Sequence, residues 1–256
     1  MLLAIDVGNS ETVLGVFRGE ELAAHWRLSS TSPRTTDEVR ILFRQWAAEA
    51  NVVLSDMRGC VISSVVPSLT GVFVEMARQA FSTEPVIIDS ETETGLVVRI
   101  DSPRTLGADR ICNAVAGFAR FGGPLIVVDF GTATTFDVIS ERGEYLGGVI
   151  ALGIKTAAQE LHRVAAKLPK VDISFPESVV GRDTETCMQS GILWGTVAMV
   201  DGLIDRIALE AGWNAVRAVG TGGLAGIVQS HSKRIERVEP FLTLDGMRII
   251  YEKVTQ

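Results

Sequence analysis

The sequence predicts a mixed α/β fold built from two similar halves, and three observations carry that prediction. "AIDVGNSETVLGVF" near the start and "VVDFGTATTFDVIS" in the middle follow one pattern, an apolar strand running into an Asp-x-Gly-x-x-x-Thr turn, which matches Thr12 with Thr135, followed by a second strand and a hairpin. Apolar runs of strand length alternate with stretches whose apolar residues recur every three or four positions, the mark of amphipathic helices. The chain has 256 residues, 46% of them hydrophobic, enough for two domains that each bury a core.

Taken in order, the first half reads as strand 2–6, a turn, strand 12–17, a tight "RGEE" hairpin and strand 22–28. Val39, Leu42, Phe43, Trp46, Ala47 and Ala50 then fall on one helical face. "GCVISSVVPS" is a buried strand ended by Pro67, Val72, Phe73, Met76, Ala77 and Ala80 make a second helical stripe, and "PVIIDS" is a further strand. Ile111, Ala114, Val115, Phe118 and Ala119 form the face of a third helix, which begins at Gly107-Ala108-Asp109-Arg110. The second half repeats the opening: "PLIVVDFG" is a strand ending in Asp129, "TTFDVIS" a second, "ERGE" a hairpin and "YLGGVIAL" the return. Helix follows from about 154, a long helix spans 186–211, "AVRAVGTGGLAG" is a strand running into glycines, and a helix over 244–253 closes the chain. No Gly/Ser-rich linker marks the boundary, so the repeat places it, giving halves 1–118 and 119–256.

The formal net charge of −7 argues against nonspecific nucleic-acid binding, which needs a positive footprint to displace counterions. The basic run "HSKRIER" at 231–237 reads as a solvated face. Cys60, Cys112 and Cys187 have neither paired spacing nor nearby histidines, which speaks against a disulfide framework or structural zinc and for a reducing compartment. No secretory leader and no apolar stretch of about 18 residues is visible, so a soluble cytoplasmic protein without membrane or nucleic-acid partners is expected.

The two turns suggest phosphate chemistry. Gly8 and Gly131 let the backbone approach a ligand closely, and exposed N–H groups in such turns hold phosphate oxygens. Asp6 and Asp129, at the ends of buried strands, are placed to reach a cation bridging phosphates. Neither a Walker A nor a Rossmann glycine pattern follows the first strand. "GTGGLAG" at 220–226 either caps a strand or passes beside an adenosine group. Asp109 has two readings: an acid at a helix start favoured by the helix dipole, or a carboxylate that accepts a proton from an attacking hydroxyl while Arg110 draws in an anionic group. An ordinary aspartate, with pKa about 3.9, is a weak base toward an alcohol, so positioning outweighs basicity. His25, His162 and His231 lack partners at metal-ligand spacing, and Ser63 and Ser64 lack a nucleophile elbow.

Together these segments resemble type III pantothenate kinase, a branch of the acetate/sugar kinase, Hsp70 and actin superfamily, whose halves are duplicated ribonuclease H-like domains. The resemblance covers nearly the whole chain through "DVGNSETVLGVF", "RTTDE", "LGADRICNAV", "DFGTATTFDV", "YLGGVIALGI", "GRDTETCMQSG", "GTGGLA" and "LTLDGMRIIYE". It implies transfer of the γ-phosphoryl group of ATP to the terminal hydroxyl of pantothenate, in a homodimer that is insensitive to coenzyme A. It places the phosphate-binding turn on Asp6, Val7, Gly8, Asn9, Ser10, Glu11, Thr12 and Val13, with Asp6 near Mg2+. It also makes Asp109 the proton acceptor, assigns pantothenate contacts to Gly107, Ala108, Asp109, Arg110 and Thr184, and gives Thr132 to the ATP site. Asp129 becomes the ligand of a monovalent cation, K+ or NH4+.

Four positions depart from the family pattern. Ser10 replaces threonine but keeps a hydroxyl, and Leu152 replaces a proline, which is expected to loosen a turn. Ser102-Pro103-Arg104-Thr105 lacks the usual final acid, and Glu11 puts a carboxylate beside phosphates, a repulsion that its turning away or meeting a cation would relieve. The alternatives are a kinase for a related small alcohol and a noncatalytic nucleotide-sensing relative.

Overall fold

The computed structural model describes residues 1–81 and 83–255. Its elements, in chain order, are β1 (Leu2–Val7), β2 (Glu11–Arg18), β3 (Glu21–Ser29), α1 (Thr36–Glu49), β4 (Gly59–Ser64), α2 (Pro67–Phe81), β5 (Val86–Ile88), β6 (Val97–Val98), α3 (Ala108–Phe121), β7 (Leu125–Phe130), β8 (Ala133–Ile139), β9 (Glu144–Leu152), α4 (Ile154–Val164), α5 (Thr184–Glu210), β10 (Arg217–Thr221), α6 (Ala225–Gln229), β11 (Arg237–Val238) and α7 (Leu242–Val254). They form two compact units, Met1–Ala116 together with the chain from Leu242, and Gly117–Phe241.

In the first unit β1, β2 and β3 make an antiparallel meander, and β4 and β5 add in parallel, giving the order β3-β2-β1-β4-β5. The parallel pairings need crossovers, which α1 and α2 supply. "RTTDE" starts α1: the Thr35 side chain accepts the Glu38 N–H at 3.3 Å, and Glu38 accepts the Thr35 N–H at 2.7 Å, a reciprocal cap. Strand alternation divides the sheet's side chains between two faces. Leu3, Ile5 and Val7 of β1, with Cys60 and Ile62 of β4, join Phe43, Phe73 and Met76 in one buried core. The intervening positions, Ala4 and Asp6 on β1 and Gly59, Val61 and Ser63 on β4, face the other way.

That second face is covered by α7. Leu244 sits where β2 has Gly15, and a Cβ on Gly59 would overlap the Tyr251 hydroxyl. Thr243 donates its hydroxyl to Asn113 Oδ1 at 2.8 Å, tying α7 to α3. The expected division at 118 therefore needs a correction: the last helix follows the second half in sequence but packs in the first unit. The cause is the apolar face of Leu244, Met247 and Ile250, all at most 2% exposed, for which the glycines of the first sheet leave room.

The second unit repeats the meander in β7, β8 and β9, with β10 and β11 in parallel beyond β7, in the order β11-β10-β7-β8-β9. Ile126, Val128 and Phe130 of β7 meet Ile192, Leu193, Val197, Val200 and Ile204 of α5 in a second core. The repeat extends to an irregularity of register, between Val16 and Phe17 in one meander and Val138 and Ile139 in the other. The turns differ in length: residues 8–11 separate the last pair Val7↔Thr12, whereas only 131–133 separate Phe130↔Thr134. Thr134, not Thr135, is thus the structural counterpart of Thr12, and both are buried.

The basic run at 231–237 is largely solvated, as expected, and is anchored to the fold at three points. Ser232 Oγ donates to Asp201 Oδ1 at 2.5 Å, the Lys233 N–H donates to Asp201 Oδ2 at 3.0 Å, and Arg234 pairs with Asp205 at 2.5 Å, fastening the segment to α5. Among the described residues, no helix is long and apolar enough to cross a membrane.

Candidate active site

The first turn is closed by its own backbone, the Gly8 N–H donating to the Glu11 carbonyl at 3.1 Å. A Cβ on Gly8 would lie 2.9 Å from that carbonyl, so glycine keeps the turn tight. Asn9, Ser10 and Glu11 are exposed at its tip, while Val7 and Thr12 are buried at its base and Val13 is partly buried opposite Asp6. The Thr12 and Ser30 hydroxyls meet at 2.8 Å beneath it. Asp6 is partly buried and accepts the Ser63 hydroxyl at Oδ1, 3.1 Å away.

Glu11 does meet a cation. Arg27, on the neighbouring strand, donates to Glu11 Oε2 at 3.0 Å, so the carboxylate that threatened to repel phosphate is held by a guanidinium. Both partners are exposed, and such pairs are weak. Arg27→Ala should therefore raise the KM for ATP by about two- to fivefold, and adding Glu11→Gln should reverse the loss, as steady-state kinetics would measure.

Asp109 stands in the first turn of α3. Gly107 opens the helix, its carbonyl accepting the Ile111 N–H at 3.1 Å, and Ala108 is buried behind it. Asp109 Oδ1 accepts the Arg110 N–H at 2.8 Å, and a Cβ on Gly107 would come within 2.5 Å of the same oxygen. Gly107 thus makes room for the carboxylate. Burial pushes the Asp109 carboxyl above the usual aspartate value, against the opposing pull of the Arg110 N–H and guanidinium. The shift makes it a stronger base than its residue type suggests. One helical turn on, Cys112 is fully buried, and burial first, then the charges of Asp6 and Asp109, push its thiol well above its ordinary value. The buried thiol of the first unit thus feels the charges of both Asp6 and Asp109.

In the second unit Asp129 is the penultimate residue of β7, partly buried, and the turn after the strand closes through the Gly131 N–H and the Ala133 carbonyl at 3.0 Å. Gly222, with φ of +87°, packs against Asp129: a Cβ there would lie 2.5 Å from Asp129 Oδ1 and 2.8 Å from the Phe130 backbone. The turn rests on Gly153, where a Cβ would overlap the Thr132 carbonyl, and Thr156 donates its hydroxyl to that carbonyl at 2.7 Å. Thr132 itself is exposed, as is Thr184, the first residue of α5. That helix begins before the expected 186 because Asp183 caps it, accepting the Thr186 N–H at 2.8 Å.

Ser63, Gly153 and Gly222 support the turns and were not singled out as site residues by the sequence. Gly222 lies in "GTGGLAG", whose glycine density was the available signal, whereas Ser63 gave none because its role depends on strand register. Leu152 does not loosen a turn: it ends β9, paired with Ala133. Ser102–Thr105 make a short 3-10 turn in which the Thr105 hydroxyl donates to the Ser102 carbonyl at 2.7 Å.

Among the described residues no three His, Cys, Asp or Glu side chains cluster as a metal cage. This donor set fits Mg2+ presented with a nucleotide, which takes one or two carboxylates and draws its other ligands from water and phosphate oxygens.

The family model for type III pantothenate kinase matches residues 2–206. Among curated relatives, a type III pantothenate kinase of Moorella thermoacetica is 49% identical over the full length of both chains, and one of Citrifermentans bemidjiense is 46% identical over 99% of each. Among solved structures, component A of the Acidaminococcus fermentans (R)-2-hydroxyglutaryl-CoA dehydratase aligns with TM-score 0.57 at 16% identity, over 100% of this chain and 99% of its own. The ROK hexokinase of Thermus thermophilus aligns with TM-score 0.53 at 13% identity, over 99% of both chains. These two likenesses concern fold alone, and the fold is that of the actin, Hsp70 and sugar kinase superfamily. With the family model covering most of the chain and relatives near half identical from end to end, the chain belongs to the type III pantothenate kinase family.

Proposed function

We propose that this protein transfers the γ-phosphoryl group of ATP to the terminal hydroxyl of pantothenate, giving 4'-phosphopantothenate, the opening step of coenzyme A synthesis from pantothenate. The observation that carries this reading is the pairing, in one unit, of a glycine turn that follows Asp6 with a basicity-raised Asp109 at a helix start. The N–H groups of residues 8–13 that the fold leaves to ligands receive phosphate oxygens. Asp6 would hold Mg2+, which would supply charge neutralisation to the phosphates of ATP. Asp109 orients the pantothenate hydroxyl and accepts its proton as the bond to phosphorus forms. Arg110 attracts the substrate carboxylate or a phosphoryl oxygen. In the second unit, Asp129 takes K+ or NH4+, Thr132 meets ATP and Thr184 meets pantothenate. The active form is a homodimer, and the compartment is the cytoplasm.

The test is phosphorylation of pantothenate by purified protein with ATP and Mg2+, in matched buffers containing K+ or only a bulky organic cation. Product that depends on K+ supports the reading. Saturable turnover of glycerol or a simple sugar, with none of pantothenate, overturns it. Asp129→Ala should weaken ATP use and flatten the K+ response in the same assay.

A further inference from the structure

"GCVISS" places two hydroxyls at the end of a core strand, and the structure gives them different tasks. Ser64 belongs to the turn into α2: it accepts the Val66 N–H at 3.2 Å and the Thr70 hydroxyl at 2.7 Å. Ser63 is fully buried, on the opposite face of β4. In the parallel pairing of β1 with β4 it stands directly across from Asp6, and its hydroxyl donates to Asp6 Oδ1 at 3.1 Å. A hydroxyl has one proton to give, and here it goes to the carboxylate.

We propose that Ser63 is the positioning residue for Asp6, fixing the rotation of its carboxylate so that Mg2+ bound with nucleotide meets a pre-set oxygen. This rests on the kinase reading above. A carboxylate has about four lone-pair sites, so one hydroxyl bond orients the group without exhausting its capacity to accept. Ser63 is itself immobile: it lies in the middle of the sheet, between Asp6 of β1 and Ile88 of β5. Cys112 of α3, the helix that carries Asp109, is likewise fully buried. Groups that orient a metal ligand without touching the metal typically contribute about 10- to 100-fold to metal affinity or activity.

The experiment measures ADP affinity by calorimetry, with and without Mg2+, for the wild type, Ser63→Ala, Ser63→Thr, Asp6→Asn and the double variant Asp6→Asn/Ser63→Ala. The readout is the ratio of the two affinities within each protein, which cancels losses of folded fraction. Ser63→Ala is expected to shrink the Mg2+ enhancement by about 10-fold or more while leaving Mg2+-free ADP affinity unchanged, and Ser63→Thr, which keeps the hydroxyl, to restore most of it. In the Asp6→Asn background Ser63→Ala should have no further effect. An unchanged enhancement in Ser63→Ala, or an equal loss in both backgrounds, overturns the proposal. Failure of the wild type to phosphorylate pantothenate, with the enhancement still dependent on Ser63, overturns the kinase reading alone.

Discussion

Asp109→Asn should lower kcat for pantothenate by about 10²- to 10⁴-fold, the usual contribution of a positioned general base, while leaving the protein at least as stable as the parent at neutral pH. The two halves of this expectation have one cause. Burial raises the carboxyl's pKa in the folded protein above its ordinary value of 3.8, more than the Arg110 N–H and guanidinium lower it. A group whose folded pKa is raised favours the fold in its protonated form, fully below the unfolded pKa, and that advantage is lost as pH rises through the folded pKa. Above that point wild type carries the whole cost of a charged, partly buried carboxylate, and the asparagine variant carries none. The amide oxygen of the variant would still accept the Arg110 N–H, so local geometry is kept. Thermal unfolding of both proteins from about pH 4 to pH 8 should show the difference between them move in favour of the variant as pH rises, then level off above the folded pKa. A difference that moves the other way would mean that the attraction of Arg110 outweighs burial. The acid limb of the wild-type kcat profile should fall above the ordinary aspartate value for the same reason.

How much of this site was legible beforehand depended on whether a feature is local. The turns at Asp6–Gly8 and Asp129–Gly131 were readable because strand, turn and hairpin leave their marks within twenty or so residues, and a repeat doubles the signal. The start of α3 at Gly107–Arg110 was equally local. The matching of Thr12 with Thr135 failed for a physical reason: spacing along the chain does not reveal that the second turn is one residue shorter, which moves the counterpart to Thr134. The Glu11 partner was hidden because a cross-strand neighbour follows from the pairing of β2 with β3, not from distance in sequence. Ser63 was hidden by the same kind of fact in a parallel pair. The docking of α7 was harder still. An amphipathic face says that a helix must be covered, not which sheet covers it.

The glycines hold that missing information, and one of them yields a large stability effect from a single methyl group. A Cβ on Gly246 of α7 would overlap the Cys112 carbonyl oxygen and lie 2.6 Å from its carbon and 2.8 Å from its Cα. These are backbone atoms of α3 and cannot rotate away as a side chain would. Gly71, in the middle of α2, is the matched control, since it is exposed and a Cβ there meets nothing within 4 Å. Alanine is favoured over glycine in helices by about 1 kcal/mol, so Gly71→Ala should stabilise the protein by roughly 0.5–1 kcal/mol. At Gly246 the same gain opposes overpacking, which costs about 1–3 kcal/mol even where side chains can adjust and more where backbones collide. The net expectation for Gly246→Ala is destabilisation by about 2 kcal/mol, read from the denaturant midpoint at unchanged m-value. Activity should fall further than stability explains, because Cys112 lies one turn from Asp109 and a displaced α3 carries with it the carboxylate proposed as proton acceptor. If both alanine variants gained stability equally, α7 would be able to ride away from α3 at no cost, and the close helix contact would not be what holds the helix of Asp109 in place.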